Sequence, residues 1–187
     1  MLDEQTFLIL NTVHLKRIAT AADIANATSI APESVNEVLA DAVSRSWALD
    51  MNGQHMLAPD GTQEVLAHYR QAYAELRVDQ AIEAWYARFE KINAEFIKHV
   101  SDWQASGDER ARSRLMRTVE RLIKALGEMI PRLSRYSGYV ERFERGLVLI
   151  DQGQVDYVAK PTIDSVHNVW FEFHEDILSV LGRPREM

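Results

Sequence analysis

The most densely polar part of the chain lies near its C-terminal end. Its titratable side chains are Asp164, His167, Glu172, His174, Glu175 and Asp176. Asp164 and His167 are three residues apart, so on a helix the carboxylate could orient the imidazole. His167 and His174 are roughly 10 Å apart along a helix axis, whereas two zinc ligands on one helix need a spacing of four residues. We therefore expect no metal site. The histidines are either partly buried with hydrogen-bond partners or in contact with a ligand inside a helical bundle.

Arginines and tyrosines alternate in a second polar segment, which contains Arg132, Arg135, Tyr136, Tyr139, Arg142 and Arg145. Guanidinium groups beside phenol hydroxyls suit a small anionic ligand. The competing interpretation is that the arginine stems lie along the surface, with Glu141 and Glu144 as partners. Together with the two histidines, this segment gives a candidate ligand-binding set of Arg135, Tyr136, Tyr139, His167 and His174.

A third group is a basic stripe in which Arg110, Arg114, Arg117, Arg121 and Lys124 follow one another at intervals of four, three, four and three residues. This spacing places the cations on one side of a helix. One interpretation is a solvated face with partners on the same helix, such as Glu120 for Lys124. The other is a contact surface for phosphate groups or an acidic partner.

The composition excludes several classes of protein. The 187 residues include no cysteine, which rules out disulfides, thiolate zinc sites and thiol nucleophiles. No phosphate-binding glycine loop or serine nucleophile motif is present, so we expect no catalytic residue and no cofactor. No apolar run approaches the ~20 residues of a membrane span, and the N-terminus is acidic. With a net charge of −7, the expected protein is cytoplasmic and has no membrane contact.

Apolar residues with helical spacing dominate the chain after residue 62. They predict a long helix over 62–105, with a break near 77–80, and further helices over about 108–127, 131–151 and 161–182. Asp79 and Asp108 are the expected N-caps, Pro131 and Pro161 the expected first-turn residues, and Gly127 and Gly182 the expected stops. These helices form a four-helix-bundle-like domain, expected over residues 63–187.

The first 62 residues predict shorter elements. Helices are expected over 5–18 and 21–26, and a third helix begins at Pro32 with Val35, Val38 and Leu39 facing inward. Two short strands, 47–49 and 55–57, flank Asn52-Gly53, a dipeptide typical of tight β-hairpins. The predicted fold is therefore mainly α, with one small hairpin.

The stretch ADIANATSIAPESVNEVLADAVSRSWAL, followed by MNGQHMLAPDGTQEVLAHY, resembles the winged helix-turn-helix of MarR- and PadR-like regulators. The resemblance covers about residues 5–75 and implies a winged helix over 1–62. It also implies DNA binding, a homodimer, and a helical domain that dimerises or binds an effector. The residues that would face DNA are Ser34, Asn36, Arg45 and Gln54.

Local charge opposes DNA binding. Residues 1–60 hold eight acidic and three basic side chains, and the outward side of the third helix holds Glu33, Glu37 and Asp41 against only Arg45. DNA affinity depends on neutralising phosphates with lysine and arginine. The alternative is an adaptor whose acidic third helix docks on a basic protein surface.

The tail DSVHNVWFEFHEDILSVLGRPR, from Asp164 to Arg185, is similar to C-terminal segments of actinobacterial proteins grouped with phosphoenolpyruvate-utilising enzymes. None of the phosphohistidine or ATP-binding machinery of that family is visible here. This likeness implies that the adaptor is accessory to a metabolic enzyme.

Overall fold

A computed structural model describes residues 1–184 and shows a mainly helical protein with a small antiparallel sheet, in agreement with the predicted class. Residues 185–187 lie outside the described part, including Arg185 of the C-terminal likeness and the end of the 63–187 prediction. The elements are α1 (Glu4–Lys16), β1 (Ala19–Thr20), α2 (Ala21–Thr28), α3 (Pro32–Ser44), β2 (Ala48–Met51), β3 (Gln54–Leu57), α4 (Pro59–Ala72), α5 (Gln80–Ser106), α6 (Glu109–Met129), α7 (Ser137–Asp151), α8 (Asp156–Ala159) and α9 (Val166–Leu181).

Two compact units share the chain. Of the described residues, unit 1 comprises 1–78 and 174–184, and unit 2 comprises 79–173. The first half of α9 therefore belongs to unit 2 and its second half to unit 1. The expected domain boundary at residue 62 stays a prediction about which part folds independently.

In unit 1, α1 to α3 enclose an apolar core that the sheet helps to cover. The strand order is β1-β3-β2, with all neighbours antiparallel. Asn52 and Gly53 both have positive φ, as a tight turn between β2 and β3 requires. The buried core residues are Ile9, Val13, Ala19, Ile24, Val35 and Leu39.

In unit 2, α5 and α6 form an antiparallel helical hairpin. The predicted caps are present: Asp79 accepts a hydrogen bond from the backbone N–H of Ala81 (2.8 Å), and Asp108 accepts one from that of Ala111 (2.6 Å). Gly107 links the helices with a φ of 63°. The core of the unit is aromatic and contains Trp85, Phe89, Phe96, Phe143, Trp170 and Phe173.

Three predicted helix ends differ from the structure. Helix α6 continues through Gly127 to Met129 because Leu126 and Met129 are both buried, so packing keeps the helix going. Pro131 follows the end of α6 in a turn, where proline commonly lies, and α7 begins only at Ser137. Pro161 also lies in a turn, because the side-chain amide of Asn168 binds the carbonyl of Pro161 (2.9 Å) and α9 begins after it.

The predicted helix over 62–105 is two helices, α4 and α5, separated by a short 3-10 turn at Leu76–Val78. This turn lies where the two apolar stripes lose phase. Among the helices of residues 1–184, none combines the length and apolar character needed to cross a bilayer.

Candidate functional site

Helix α3 presents an acidic face to solvent. Its buried side holds Val35, Leu39 and Ala42, which anchor it to the core of unit 1. The opposite side therefore exposes Glu33 and Glu37. Neither carboxylate forms an ion pair with any residue of the described chain. The acidic face predicted from the sequence is present as a solvent-exposed surface.

The cation at the end of α3 is already engaged. The Nε of Arg45 lies 2.9 Å from a carboxylate oxygen of Asp41, and both side chains are about half exposed. The guanidinium carbon also lies 4.9 Å from the ring centre of Trp47, a cation–π distance. The positive charge of Arg45 is thus balanced by Asp41 of the adjoining helix α3.

The remaining predicted DNA-facing residues are spread over α3 and the hairpin. Asn36 is exposed and Ser34 is half-buried on α3, while Gln54 is exposed at the start of β3. At the hairpin tip, the carboxylate of Asp50 accepts a hydrogen bond from the backbone N–H of Gly53 (2.7 Å). The hairpin offers amide and carboxylate groups to a ligand, and its residues 47–57 include no lysine or arginine.

The outer face of the small sheet carries exposed apolar side chains beside the polar Gln54. Leu49 and Met51 of β2 are 49% and 39% exposed, and Leu49 pairs with Met56 of β3. The next residue along, Leu57, belongs to the other face and packs against the core. Since successive strand residues point to opposite faces, Leu49, Met51 and Met56 share the face turned away from the core.

Comparison with known proteins adds no relative. No family model, no curated protein and no solved structure matches this chain.

In unit 2, the predicted ligand-binding tyrosines lie in the aromatic core. Tyr136 is fully buried and Tyr139 is buried, and their rings lie 5.5 Å and 5.4 Å from that of Phe173. Arg135 stacks over the ring of Tyr136 at 4.9 Å. The structure thus brings Arg135, Tyr136 and Tyr139 together as a packed cluster.

The two predicted histidines lie on opposite sides of the unit division. His167 is half-buried beside Phe96, and burial lowers its pKa below the ordinary value. His174 is half-buried in unit 1. The carboxylate of Asp164, which the spacing suggested as the group that orients His167, binds an arginine of α7.

That arginine is Arg142, whose role as a buried charge is not predicted from the sequence. It is 5% exposed, and it donates hydrogen bonds to Asp164 (Nε, 2.9 Å) and to Glu172 (Nη2, 2.6 Å), which is itself 7% exposed. Burial alone would lower the pKa of Arg142, but the hydrogen bond to Asp164 and the charge of Glu172 outweigh it and raise that pKa. The missed clue is that Arg142 lies on the inward stripe with Tyr139 and Phe143.

The burial of Arg142 differs from the interpretation in which its stem lies along the surface with Glu141 and Glu144 as partners. Arg142 does not pair with Glu141 or Glu144, both of which are exposed. Arg145, in contrast, is half exposed and lies 4.0 Å from Asp164. Within residues 1–184, no group of carboxylates and histidines has the arrangement of a metal site.

Proposed function

We propose that residues 4–72 form a winged helix that acts as a protein-docking module rather than as a DNA reader. The order α1-β1-α2-α3-β2-β3 and the sheet order β1-β3-β2 support the winged-helix interpretation. In this arrangement α3 is the recognition helix and the β2–β3 hairpin is the wing. The partner is a protein that offers a basic surface to α3.

The observation that carries this proposal is the charge state of the α3 face. Glu33 and Glu37 are exposed without compensating cations, and Arg45 is paired with Asp41. A phosphate backbone approaching this face would meet carboxylates, which oppose binding. A surface of lysines and arginines would instead gain from the same charges, through faster association and the suppression of wrong partners.

A DNA-binding regulator of the MarR or PadR type is the second candidate. The observation in its favour is that Asn36 and Gln54 are both exposed, since asparagine and glutamine amides can pair with adenine in the major groove. Under this alternative, α5 to α9 would dimerise or bind an effector. The candidate binding site for the effector would be the cluster of Arg135, Tyr136 and Tyr139.

Fluorescence anisotropy across a salt series tests the proposal with two probes: a duplex DNA of mixed sequence and a lysine-rich helical peptide. The unaltered protein is expected to bind the peptide at low salt and to leave the duplex unbound. Replacing Glu33 and Glu37 with lysine should weaken peptide binding about tenfold or more. The matched control is Glu141→Lys with Glu144→Lys, which makes the same charge change on α7 and should have little effect.

The opposite result identifies the regulator. Binding of the duplex that weakens linearly in a log–log plot against salt would show phosphate contacts. If Arg45→Ala then also lowers the affinity for DNA, the docking proposal is wrong and α3 contacts DNA.

A further inference from the structure

The α5–α6 hairpin has a regular antiparallel register. The indole N–H of Trp85 donates to the carbonyl of Ala125 (2.8 Å), and the Nδ1 of His99 lies 2.9 Å from the hydroxyl of Thr118. As the chain advances along α5, its partner residue on α6 moves backward by the same number of positions. This register decides which surface residues of the two helices lie side by side.

Three ion pairs form a ladder along one face of the hairpin. Each helix contributes every seventh residue, and the pairs are Arg88–Glu128, Glu95–Arg121 and Asp102–Arg114. All six side chains are about half exposed. The ladder is electrically neutral. It shows that Arg114 and Arg121 of the predicted basic stripe take their partners from α5 and not from α6.

Unpaired cations flank this ladder on both sides. They lie one helical turn from the ladder residues and are Lys91 and Lys98 on α5 and Arg110, Arg117 and Lys124 on α6. All five are exposed, and none forms an ion pair within the part of the chain that the structure describes. Lys124 in particular does not pair with Glu120. We call the ladder with its five flanking cations the basic face.

The cations of the basic face form a regular grid. Positions seven residues apart on a helix are roughly 10.5 Å apart along its axis, and packed helices have axes about 8–10 Å apart. The antiparallel register places Lys91 level with Lys124 and Lys98 level with Arg117. The surplus of five positive charges belongs to a chain whose net charge is −7. Glu120 lies at the rim, on the outer flank of the α6 row.

We propose that the basic face binds an acidic α-helix of a partner protein, lying along the hairpin with carboxylates repeated every seven residues. The cations of the basic face and the carboxylates of such a helix are complementary in charge and in spacing. A partner helix whose axis lies along the hairpin has the same rise per residue as α5 and α6. Carboxylates seven residues apart on that helix would therefore each meet a cation of the basic face. Surface pairs are individually weak, so an array in register is what gives the contact its specificity. This proposal is independent of the function proposed for α3.

Duplex nucleic acid fits the basic face less well. Each DNA strand carries a phosphate about every 3.4 Å along the helix axis, so a row of cations roughly 10.5 Å apart would reach only about every third phosphate. The ladder also places Glu95, Asp102 and Glu128 between the two rows, each paired with an arginine, so the middle of the face adds no net attraction for a phosphate backbone. An acidic partner helix can carry uncharged residues at its positions that face the ladder carboxylates.

The test uses the full chain and two labelled helical peptides of about 21 residues, or three heptads. Both contain the same glutamates: in one they line a single side at heptad spacing, and in the other they are distributed around the helix. The heptad peptide is expected to bind about tenfold more tightly at low salt. Arg117→Glu should lower the affinity for the heptad peptide about fivefold. Adding Lys98→Glu should lower that affinity further by a similar factor.

The matched control is Arg70→Glu, an exposed helical arginine of unit 1 with the same charge change. It should alter the affinity by less than about twofold, and circular dichroism checks that each variant is folded. Equal binding of both peptides, or an equal effect of Arg70→Glu, overturns the proposal because bulk charge then explains the binding. If the protein binds mixed-sequence duplex DNA and Arg117→Glu abolishes that binding, the proposal is overturned in favour of a phosphate site.

Discussion

At the scale of single residues, the buried charges of unit 2 are held by one arginine. Arg142 contacts Asp164 and Glu172 at once, and it also lies 5.7 Å over the ring of Tyr139. Two carboxylates around one cation leave a negative surplus, which half-exposed Arg145 partly offsets from 4.0 Å. A buried ion pair contributes little net stability by itself, but removing one member leaves an uncompensated charge. Arg142 therefore matters most for what its absence would expose.

We expect Arg142→Met to lower the free energy of unfolding by about 3–5 kcal/mol, because Glu172 would stay buried without its cation. Urea denaturation measures this change. The control is Arg145→Met, for which the exposed geometry predicts a loss of less than about 1 kcal/mol. Equal losses in the two variants would show that the buried charge is not the cause.

His167 predicts a specific dependence of stability on pH. Burial lowers the pKa of His167 in the folded protein below the ordinary histidine value of about 6.5, so the unfolded chain binds the proton more strongly. Its contribution to stability is thus fully present above about pH 6.5 and is lost as the pH falls below that value. In His167→Gln, the free energy of unfolding should fall less between about pH 7.5 and pH 5.5 than in the unaltered protein. Parallel pH curves for the two proteins would contradict the prediction.

At the scale of elements, the start of α4 lies directly against the residue that precedes β2. The backbone N–H of Ala58 donates to the carbonyl of Trp47 (2.8 Å), and a Cβ added at Gly61 would lie only 2.1 Å from that same carbonyl oxygen. Such an approach is possible only for glycine. The contact fixes α4 to the hairpin region of unit 1.

Gly61→Ala and Gly127→Ala are expected to have opposite effects on stability. The added methyl at Gly61 must displace backbone, which predicts a loss of at least about 2 kcal/mol. At Gly127 nothing lies within 4 Å of the added Cβ, so alanine should stabilise α6 by about 0.5–1 kcal/mol. Thermal or urea unfolding measures both variants. A neutral Gly61→Ala would mean that the close approach to Trp47 does not constrain α4.

Local chemistry predicted the starts of some elements and not of others. Asp79 and Asp108 act as caps because a carboxylate can bind the free backbone N–H groups of the first turn whatever surrounds it. The sequence predicts Pro131 and Pro161 in first turns, but proline is also common just after a helix. Only the packing of α6 and the hydrogen bonds of Asn168 decided between those positions.

At the scale of the whole molecule, unit 1 is built from both ends of the chain. The guanidinium of Arg77 donates to the carbonyls of Val180 (2.9 Å), Ser179 (3.1 Å) and Tyr69 (3.2 Å). A positive charge at the C-terminal end of a helix such as α9 is favourable. Asn11 of α1 links α4 to α9, since its side chain accepts a hydrogen bond from the hydroxyl of Tyr69 (2.9 Å) and donates one to Asp176 (3.4 Å).

Removing residues 174–187 should therefore destabilise unit 1. Ile177 and Val180 are fully buried, and each is worth roughly 1.5–3 kcal/mol of burial, so we expect a loss of more than about 3 kcal/mol. Hydrogen exchange should speed up in α1 and α4. The control is a chain that ends at Arg183 and keeps all of α9, for which no change in exchange is expected. Unchanged protection of α1 in the shorter chain would show that unit 1 is complete without α9.

Sequence alone determined the features that depend on spacing along the chain. The mainly helical class, the Asn52-Gly53 hairpin and the acidic outward side of α3 all follow from residue type and period. Each involves residues within about two helical turns of one another, where geometry is fixed by the backbone.

Only the tertiary structure decided which distant polar and charged groups meet. It buried Arg142 with Glu172, joined Asn11 to Asp176, and paired Glu95 with Arg121 across the α5–α6 hairpin. These contacts are separated in sequence by 30, 165 and 26 positions, so no local pattern encodes them. The physical reason is that electrostatic partners are selected by burial and helix register, which exist only once the elements have packed.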